Sequence, residues 1–208
     1  MPRVRVHQHV NPLAPYFRFT PQPIEIKTVF ANPDLPLHLD IGSARGKFLL
    51  KIAAISPAQN FLGVEIREPL VAQANRIAKE NSLSNLHYEF CNATYSLDRL
   101  LELLPRDVLQ TVTIQFPDPW YKKKHAKRRM VKYNLVETVV KHLRIAGVVF
   151  IQTDVYFLAG EMFELFRRNA HLCEVEVAEH PFAIKTEREI AVEEKALPIY
   201  RAMFEKTK

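Results

Sequence analysis

The sequence predicts an α/β fold: a doubly wound, mostly parallel sheet with helices on both faces and an antiparallel hairpin at one edge. From residue 37 onward, short apolar runs rich in β-branched residues alternate with segments whose apolar residues recur at helical spacing. This alternation is typical of parallel sheets, because each helix crosses a face of the sheet between two strands. The last two predicted strands lack a connecting helix as long as the earlier ones, which indicates an antiparallel pair.

Seven strands and five long helices are predicted in chain order. The strands cover 37–41, 61–66, 86–90, 111–114, 148–153, 173–177 and 199–204. The helices lie around 48–53, 69–78, 96–104, 135–143 and 158–166. Pro69 suits the first turn of its helix, and Gly147 ends the helix that precedes the fifth strand. With 208 residues, the chain is long enough for one domain with a sizeable core.

The first 36 residues differ from the rest, since they contain seven of the fourteen prolines. This spacing excludes long helices and central strands. We therefore expect a Pro-rich N-terminal arm at 1–36, lying over a domain at 37–208. Tyr16, Phe17 and Phe19 are the side chains expected to anchor the arm.

Several classes of protein are disfavoured by composition. No apolar run approaches the roughly 20 residues that a membrane span requires. The N-terminus lacks the apolar segment of a secretory signal. Cys91 and Cys173 are far apart and form no Cys-x-x-Cys pair, so neither a disulfide framework nor a metal site is indicated. We expect a cytoplasmic protein without a metal.

The stretch Gln-Phe-Pro-Asp-Pro-Trp at 115–120 directly follows the strand predicted at 111–114. Each proline fixes its own φ and keeps the residue before it out of the helical region, so Asp118 lies in a stiff, extended loop. Ligands of open α/β sheets bind at the carboxyl ends of the strands. The sequence thus places a rigid carboxylate where a ligand is expected.

A basic run follows this loop, and it accounts for the positive charge of the chain. Its members are Lys122, Lys123, Lys124, Lys127, Arg128, Arg129 and Lys132. The chain has 29 Lys and Arg against 23 Asp and Glu, and without these seven residues its net charge would change from +6 to −1. Because the run lies between a strand and an amphipathic helix, we favour a polyanion-binding role over a solvated face or an import signal.

A glycine turn follows the first strand. Gly42 and Gly46 precede a helix, and Glu65 comes nineteen residues after Gly46 at the end of the second strand. This arrangement is typical of nucleotide sites, in which the acidic residue binds ribose hydroxyls. Asp40 precedes the turn, where it would repel a pyrophosphate but suit a cation such as the amino group of S-adenosylmethionine. A purely structural strand–helix connection remains an alternative.

Four motifs together resemble the tRNA (guanine-N7-)-methyltransferase family of the bacterial type. They are Leu-Asp-Ile-Gly-x-x-x-Gly at 39–46, Gly-Val-Glu-Ile-Arg at 63–67, Asn92-Ala93, and Phe-Pro-Asp-Pro-Trp at 116–120 with its basic tail. The last motif is the specific one, since many methyltransferases share the glycine turn. The resemblance runs from about residue 37 to the C-terminus. It implies a Rossmann-like, S-adenosylmethionine-dependent methyltransferase that acts on a guanine in the variable loop of tRNA, as a monomer or a homodimer.

The resemblance also implies roles for individual residues. Asp118 is expected to be catalytic and to lie at the methyl donor. The expected cofactor-binding residues are Asp40, Gly42, Gly46, Glu65, Asn92, Ala93 and Asp118. The expected substrate-binding residues are Lys122, Asp154, Thr186 and Glu189. For the tRNA backbone, the basic run supplies Lys123, Lys124, Lys127, Arg128 and Arg129.

Three residues depart from the family pattern. Ala44 replaces a middle glycine, Asn92 an aspartate and Arg188 an aromatic residue. An asparagine can still bond an adenine edge. Thr186 and Glu189 match a Thr-x-x-Glu substrate element, but they also form a capping box ahead of a helix-prone segment at 190–196, and both roles remain open.

Methylation at N7 of guanine needs no general base, because N7 has a free lone pair and no proton. We therefore expect Asp118 and Asp154 to orient the guanine and stabilise its developing charge. Asp154 is also a candidate N-cap of the helix after the fifth strand. Two alternatives are an amino-group methyltransferase of the adenine N6 type, whose loop has a different residue order, and a non-catalytic RNA-binding protein that retains the fold.

Overall fold

The computed structural model describes residues 10–177 and 180–208, and its strands form one seven-stranded sheet. The strands are β1 (Leu37–Ile41), β2 (Asn60–Glu65), β3 (Leu86–Phe90), β4 (Leu109–Gln115), β5 (Val148–Thr153), β6 (Leu172–Val175) and β7 (Tyr200–Lys206). Their order in the sheet is β3-β2-β1-β4-β5-β7-β6. The first five strands are parallel, and β7 is antiparallel to both β5 and β6. The predicted fold class is confirmed, including its antiparallel edge.

The helices are α1 (Ile26–Val29), α2 (Lys47–Ile55), α3 (Glu68–Glu80), α4 (Ala93–Leu100), α5 (Tyr133–His142), α6 (Tyr156–Arg167) and α7 (Glu187–Glu193). Two short 3-10 helices cover Pro15–Phe17 and Lys123–Arg128. α4 begins three residues earlier than the predicted start at Ser96. The reason is a cap: the side-chain oxygen of Asn92 accepts a hydrogen bond from the Thr94 N–H.

The core has two apolar clusters that contact opposite faces of the sheet. Successive residues of β2 illustrate the division, because the side chain of Phe61 joins one cluster and that of Leu62 the other. α2 and α3 contribute to the first cluster, and α4, α5 and α6 to the second. β1 and β2 are buried along their whole length, as expected of central parallel strands.

The predicted arm packs on the sheet and contributes to its core. The ring of Phe19 stacks on Phe90 with centroids 4.6 Å apart. Ile24, Ile26 and Phe30 are buried in the cluster that also contains β4 and β5. The first nine residues of the arm lie outside the described residues, and the division of the chain at residue 36 stays a prediction.

The topology places one functional position at the carboxyl end of the sheet. β1 lies between β2 and β4, so the chain order reverses beside it. Crevices of open α/β sheets form at such a reversal.

Within the described ranges, no helix is long and apolar enough to cross a membrane, and no group of three or more His, Cys, Asp or Glu could hold a metal ion. Both cysteines are free.

Candidate active site

A cleft of about 850 Å³ opens at the carboxyl ends of the parallel strands, where the order of the strands reverses. It brings together eight of the residues that the sequence singled out: Asp40, Gly42, Glu65, Asn92, Ala93, Asp118, Asp154 and Thr186. Arg128 lines it too. The other expected site residues are not in its lining, and their placement is described below.

The glycine turn forms the floor of the cleft between β1 and α2. Gly42, Ala44 and Gly46 all have positive φ angles, of 87°, 51° and 72°. A Cβ atom on Gly46 would lie 2.6 Å from Tyr88, whose hydroxyl donates to the Gly46 carbonyl at 2.7 Å. Gly46 is therefore required for packing behind the turn. Ala44 adopts a left-handed conformation that glycine accepts at lower cost.

Asp40 is a buried carboxylate held by β4. The Thr113 hydroxyl donates to Asp40 Oδ1 at 2.7 Å, and the Gln115 amide lies 3.5 Å from the same oxygen. Because Thr113 gives its proton to Asp40, His38 Nε2, which lies 3.0 Å from Thr113 Oγ1, must be the donor in that contact. Burial raises the pKa of Asp40 to about 6 and lowers the pKa of His38 to about 3.

This environment fits the ammonium group of S-adenosylmethionine. Asp40 is only 5% exposed, and burial destabilises its ionised form. A cation that reaches the carboxylate therefore stabilises it. Asp40 lines the cleft directly before the glycine turn, so a cation held there also lies beside the turn. The Asp40 carboxylate and the glycine turn therefore fit a cofactor with an ammonium group better than one with a pyrophosphate.

Glu65, at the end of β2, is the predicted ribose acceptor, and its carboxylate already accepts four hydrogen bonds. Two come from the backbone N–H groups of Ala44 at 2.8 Å and Arg67 at 3.1 Å. The Arg67 side chain supplies the others, from Nε at 2.7 Å and Nη2 at 3.1 Å. Ribose hydroxyls that reach Glu65 would therefore replace bonds of the Arg67 side chain.

Arg67 links this carboxylate to the catalytic candidate. Burial works against the charge of Arg67, but the hydrogen bonds and charge of Glu65 and the charge of Asp118 together raise its pKa. From the sequence alone, Arg67 was recognisable only as part of a motif. Its position two residues after the ribose acceptor was the signal that could have identified it.

The Asn92 side chain is hydrogen-bonded to the arm. Its side-chain N–H groups donate to the carbonyls of Pro12 at 2.9 Å and Phe17 at 3.1 Å, while its oxygen caps α4. An aspartate at this position could not make the two donated bonds. Asn92 nevertheless lines the cleft, and its expected contact with an adenine edge stays a prediction. The arm also places Pro12 in the wall of the cleft.

The Pro-Asp-Pro loop is stiffer than its prolines alone imply. Phe116 and Trp120, on either side of it, adopt left-handed φ angles of 49° and 47°. The Arg129 side chain donates from Nε to the Pro119 carbonyl at 2.9 Å and pairs with Glu161 at 2.6 Å. Strained backbone of this kind concentrates at functional sites. The result is an exposed Asp118 on a fixed support at the edge of the cleft.

The basic run divides into two groups. The exposed side chains are Lys122, Lys123, Lys124 and Lys127. The guanidinium of Arg128 lies over the Trp120 ring at 4.9 Å, and Arg129 is only 13% exposed because it turns toward the loop. The lysines therefore remain candidates for contacts with a polyanion. The expected contact between Arg129 and the tRNA backbone is not supported by its placement.

Asp154 lines the cleft together with Thr186 and pairs with the side chain of Arg188. The possible N-cap role of Asp154 is wrong. The N-cap of α6 is Val155, whose N–H donates to the hydroxyl of Thr153 at 3.2 Å. Asp154 therefore remains at the cleft with an arginine beside it.

Glu189 lies behind the cleft and is fully buried. The capping box is confirmed, since Thr186 and Glu189 bond each other's backbone N–H groups. The Glu189 carboxylate also accepts from Gln152 at 3.1 Å and Arg201 at 2.8 Å. Burial alone would raise its pKa, but His180, Gln152 and Arg201 lower it to about 2. Glu189 supports α7, and its expected substrate contact is not supported by this placement.

Known proteins resemble this chain over nearly its full length. A family model described as "Putative methyltransferase" matches residues 34–202. A tRNA (guanine-N(7)-)-methyltransferase of Trichormus variabilis is 49% identical over 210 residues, covering 99% of this chain and 98% of the relative. Another, of Synechococcus elongatus, is 50% identical over 207 residues, covering 98% of this chain and 97% of the relative.

Solved structures with much lower identity share the fold. The YcgJ protein of Bacillus subtilis has a TM-score of 0.55 at 16% identity, covering 88% of this chain and 96% of that one. An rRNA methylase of Streptococcus thermophilus has a TM-score of 0.53 at 9% identity, covering 88% of this chain and 92% of that one. At such identities the likeness concerns the fold alone.

Proposed function

This chain belongs to the tRNA (guanine-N(7)-)-methyltransferase family, and on that premise we propose that it transfers the methyl group of S-adenosylmethionine to N7 of a guanine in the variable loop of tRNA. The observation that carries the proposal is a cleft with a buried carboxylate at its floor and a rigid, exposed one at its edge. Asp40 is suited to a cation, and Asp118 to a nucleobase that comes from solvent.

The geometry of the cleft supports a proposal for the residues that hold the cofactor. Asp40 would bind the ammonium group, the turn of Gly42 to Gly46 would contact the methionine part, and Glu65 would accept ribose hydroxyls in place of Arg67. S-adenosylmethionine supplies, when bound, an electrophilic methyl group on a sulfonium sulfur. These residues fix its position without taking or giving a proton.

The substrate side of the cleft is built for orientation. A carboxylate accepts hydrogen bonds from the N1–H and amino groups of guanine, which leaves N7 on the opposite edge of the base. Asp118 and Asp154, which both line the cleft, are the carboxylates that we propose for this contact. Both also stabilise the positive charge that the purine gains on methylation. Alignment and charge stabilisation, without a base, then account for the catalysis.

tRNA is the partner that the charge distribution suits. Lys122, Lys123, Lys124 and Lys127 project into solvent directly after the catalytic loop, where they meet phosphates while the guanine enters the cleft. We propose that the protein acts as a monomer or a homodimer. Its tRNA substrate places this work in the cytoplasm.

Nucleoside analysis tests the function. The protein is incubated with methyl-labelled S-adenosylmethionine and an unmodified tRNA transcript, and the digested RNA is separated by chromatography. We expect label in 7-methylguanosine, and none when the variable-loop guanine is replaced by adenine. Label in N6-methyladenosine would indicate an amino-group methyltransferase, and tight tRNA binding without label would indicate a non-catalytic RNA-binding protein.

A further inference from the structure

We propose that four aromatic side chains beside the cleft form a binding surface for the nucleobases that flank the target guanine. They are Tyr121, Tyr156, Phe157 and Tyr200, here called the aromatic surface. The inference rests on the proposed function and extends it, since it assigns a site for bases that are not themselves methylated.

Three of the four side chains of the aromatic surface are exposed to solvent, and Tyr200 is half-buried. Tyr156 is 77% exposed, Tyr121 is 69% exposed and Phe157 is 38% exposed. The rings form two pairs: the centroids of Tyr121 and Phe157 are 5.9 Å apart, and those of Tyr156 and Tyr200 are 5.5 Å apart. Tyr156 and Phe157, one from each pair, are consecutive residues of α6. Exposed apolar side chains that are grouped together mark interaction sites.

The aromatic surface adjoins both carboxylates that are proposed to orient the guanine. Tyr121 lines the cleft three residues after Asp118. Tyr156 is the first residue of α6, two positions after Asp154. A base next to the guanine in the RNA chain would therefore reach these rings while the guanine lies in the cleft.

Cations accompany the rings, and this favours single-stranded RNA over a protein partner. The Arg129 guanidinium lies 4.9 Å from the centroid of Phe157, and the exposed Lys122, Lys123 and Lys124 directly follow Tyr121. Lysine is depleted in protein–protein interfaces, whereas aromatic rings among cations are how proteins bind single-stranded nucleic acid.

The chemistry of the reaction creates the need for such a surface. A guanine that enters a protein cleft leaves its stack in the RNA, so its neighbours lose a stacking partner. Aromatic side chains replace that partner without reading the base, because every base has a π face. The aromatic surface would thus lower the cost of extracting the guanine from differing sequences.

Paired substitutions at Tyr121 and Tyr156 test the proposal. The double variant Tyr121→Ala/Tyr156→Ala (Ala/Ala) is compared with variants in which both tyrosines are replaced by phenylalanine (Phe/Phe) or by leucine (Leu/Leu). The control is Ile145→Ala, which alters a side chain that is 62% exposed and lies just before the amino end of β5. tRNA dissociation constants are measured over a range of salt concentrations. Fluorescence is recorded from transcripts with 2-aminopurine on either side of the target guanine, and calorimetry gives cofactor affinity.

We expect the Ala/Ala variant to bind tRNA about tenfold to a hundredfold more weakly, with unchanged cofactor affinity and an unchanged salt slope, since stacking releases no counterions. Binding should quench 2-aminopurine in the wild type and the Phe/Phe variant but not in the Ala/Ala or Leu/Leu variants. Ile145→Ala should behave as the wild type.

Two outcomes would overturn the proposal. One is wild-type affinity and quenching in the Ala/Ala variant. The other is a Leu/Leu variant that matches Phe/Phe, because the contact would then be apolar without stacking. Neither readout needs methyl transfer, so failure of the proposed function, seen as no 7-methylguanosine from the wild type, is distinguishable from failure of this inference.

Discussion

At the scale of single residues, the site depends on two carboxylates in opposite environments. Asp40 is buried at the end of β1 and held by Thr113, whereas Asp118 is exposed at the tip of a rigid loop. Burial makes Asp40 sensitive to a nearby cation, and exposure lets Asp118 meet a base that arrives with the RNA. Each carboxylate gives a prediction of its own.

The first prediction concerns the pH dependence of cofactor binding. The pKa of Asp40 is raised to about 6, so its carboxylate is ionised above that pH and becomes protonated below it. Affinity for an ammonium group is therefore present above pH 6 and falls by about tenfold per unit below it. Calorimetric titration from about pH 5 to pH 8 measures this. Asp40→Asn should bind more weakly throughout and show no transition near pH 6, while equal wild-type affinities at pH 5 and pH 7 would contradict the assignment.

The second prediction separates orientation from base catalysis at Asp118. Asp118→Asn keeps one acceptor oxygen, and the strained, proline-flanked loop keeps its geometry. Since N7 has no proton to lose, single-turnover methylation by this variant should be slower but independent of pH between about 6.5 and 9. tRNA affinity should change little, because the neighbouring lysines bind phosphates. A rate that climbs tenfold per pH unit would indicate proton removal and an amino-group substrate.

At this scale, the sequence predicted which residues lie at the ends of strands, but it did not predict their hydrogen-bond partners. Asp40, Glu65 and Asp118 all follow strands, so their meeting in one cleft could be deduced from strand order. Asp40 and Thr113 lie opposite each other on adjacent strands, and no local pattern reveals that register. The burial of Glu189 was missed for the same reason, because its partners Gln152 and Arg201 lie opposite each other on β5 and β7.

At the scale of elements, the basic run shows that the charge of a segment does not determine where its side chains lie. Its charge was evident from the sequence, but the direction of each side chain was not. The 3-10 helix at Lys123–Arg128 keeps three lysines in solvent, while Arg129 turns back to the carbonyl of Pro119. Arg129 should therefore be needed for the catalytic loop, and the lysines for affinity.

The third prediction measures that affinity. If Lys123, Lys124 and Lys127 each meet a phosphate, changing all three to alanine should reduce the slope of log affinity against log salt by about two to three. Cofactor affinity should not change. The matched control replaces three exposed lysines on other elements, Lys51, Lys79 and Lys195, and it should leave the slope unaltered. Equal slopes in the two triple variants would make the run a solvated face.

At the scale of the whole molecule, the alternation of strands and helices was enough to predict the sheet, its reversal and the antiparallel edge. The arm was the least predictable part, because its core contributions come from three apolar residues in one short stretch between Pro23 and Pro33. Asn92 joins the arm to the cleft by two long-range hydrogen bonds. The fold therefore brings the residues proposed to bind the cofactor, around β1, β2 and β3, against those proposed to bind the substrate, around β4 and β5.

The most direct test of N7 methylation uses a transcript in which the target guanine is replaced by 7-deazaguanine. This base retains the N1–H and amino groups that Asp118 and Asp154 are proposed to bind, but it carries C–H where guanine has N7. The protein should bind both transcripts with similar affinity and methylate only the one with guanine. Methyl incorporation at the 7-deazaguanine nucleotide would place the reaction on another atom and contradict the account.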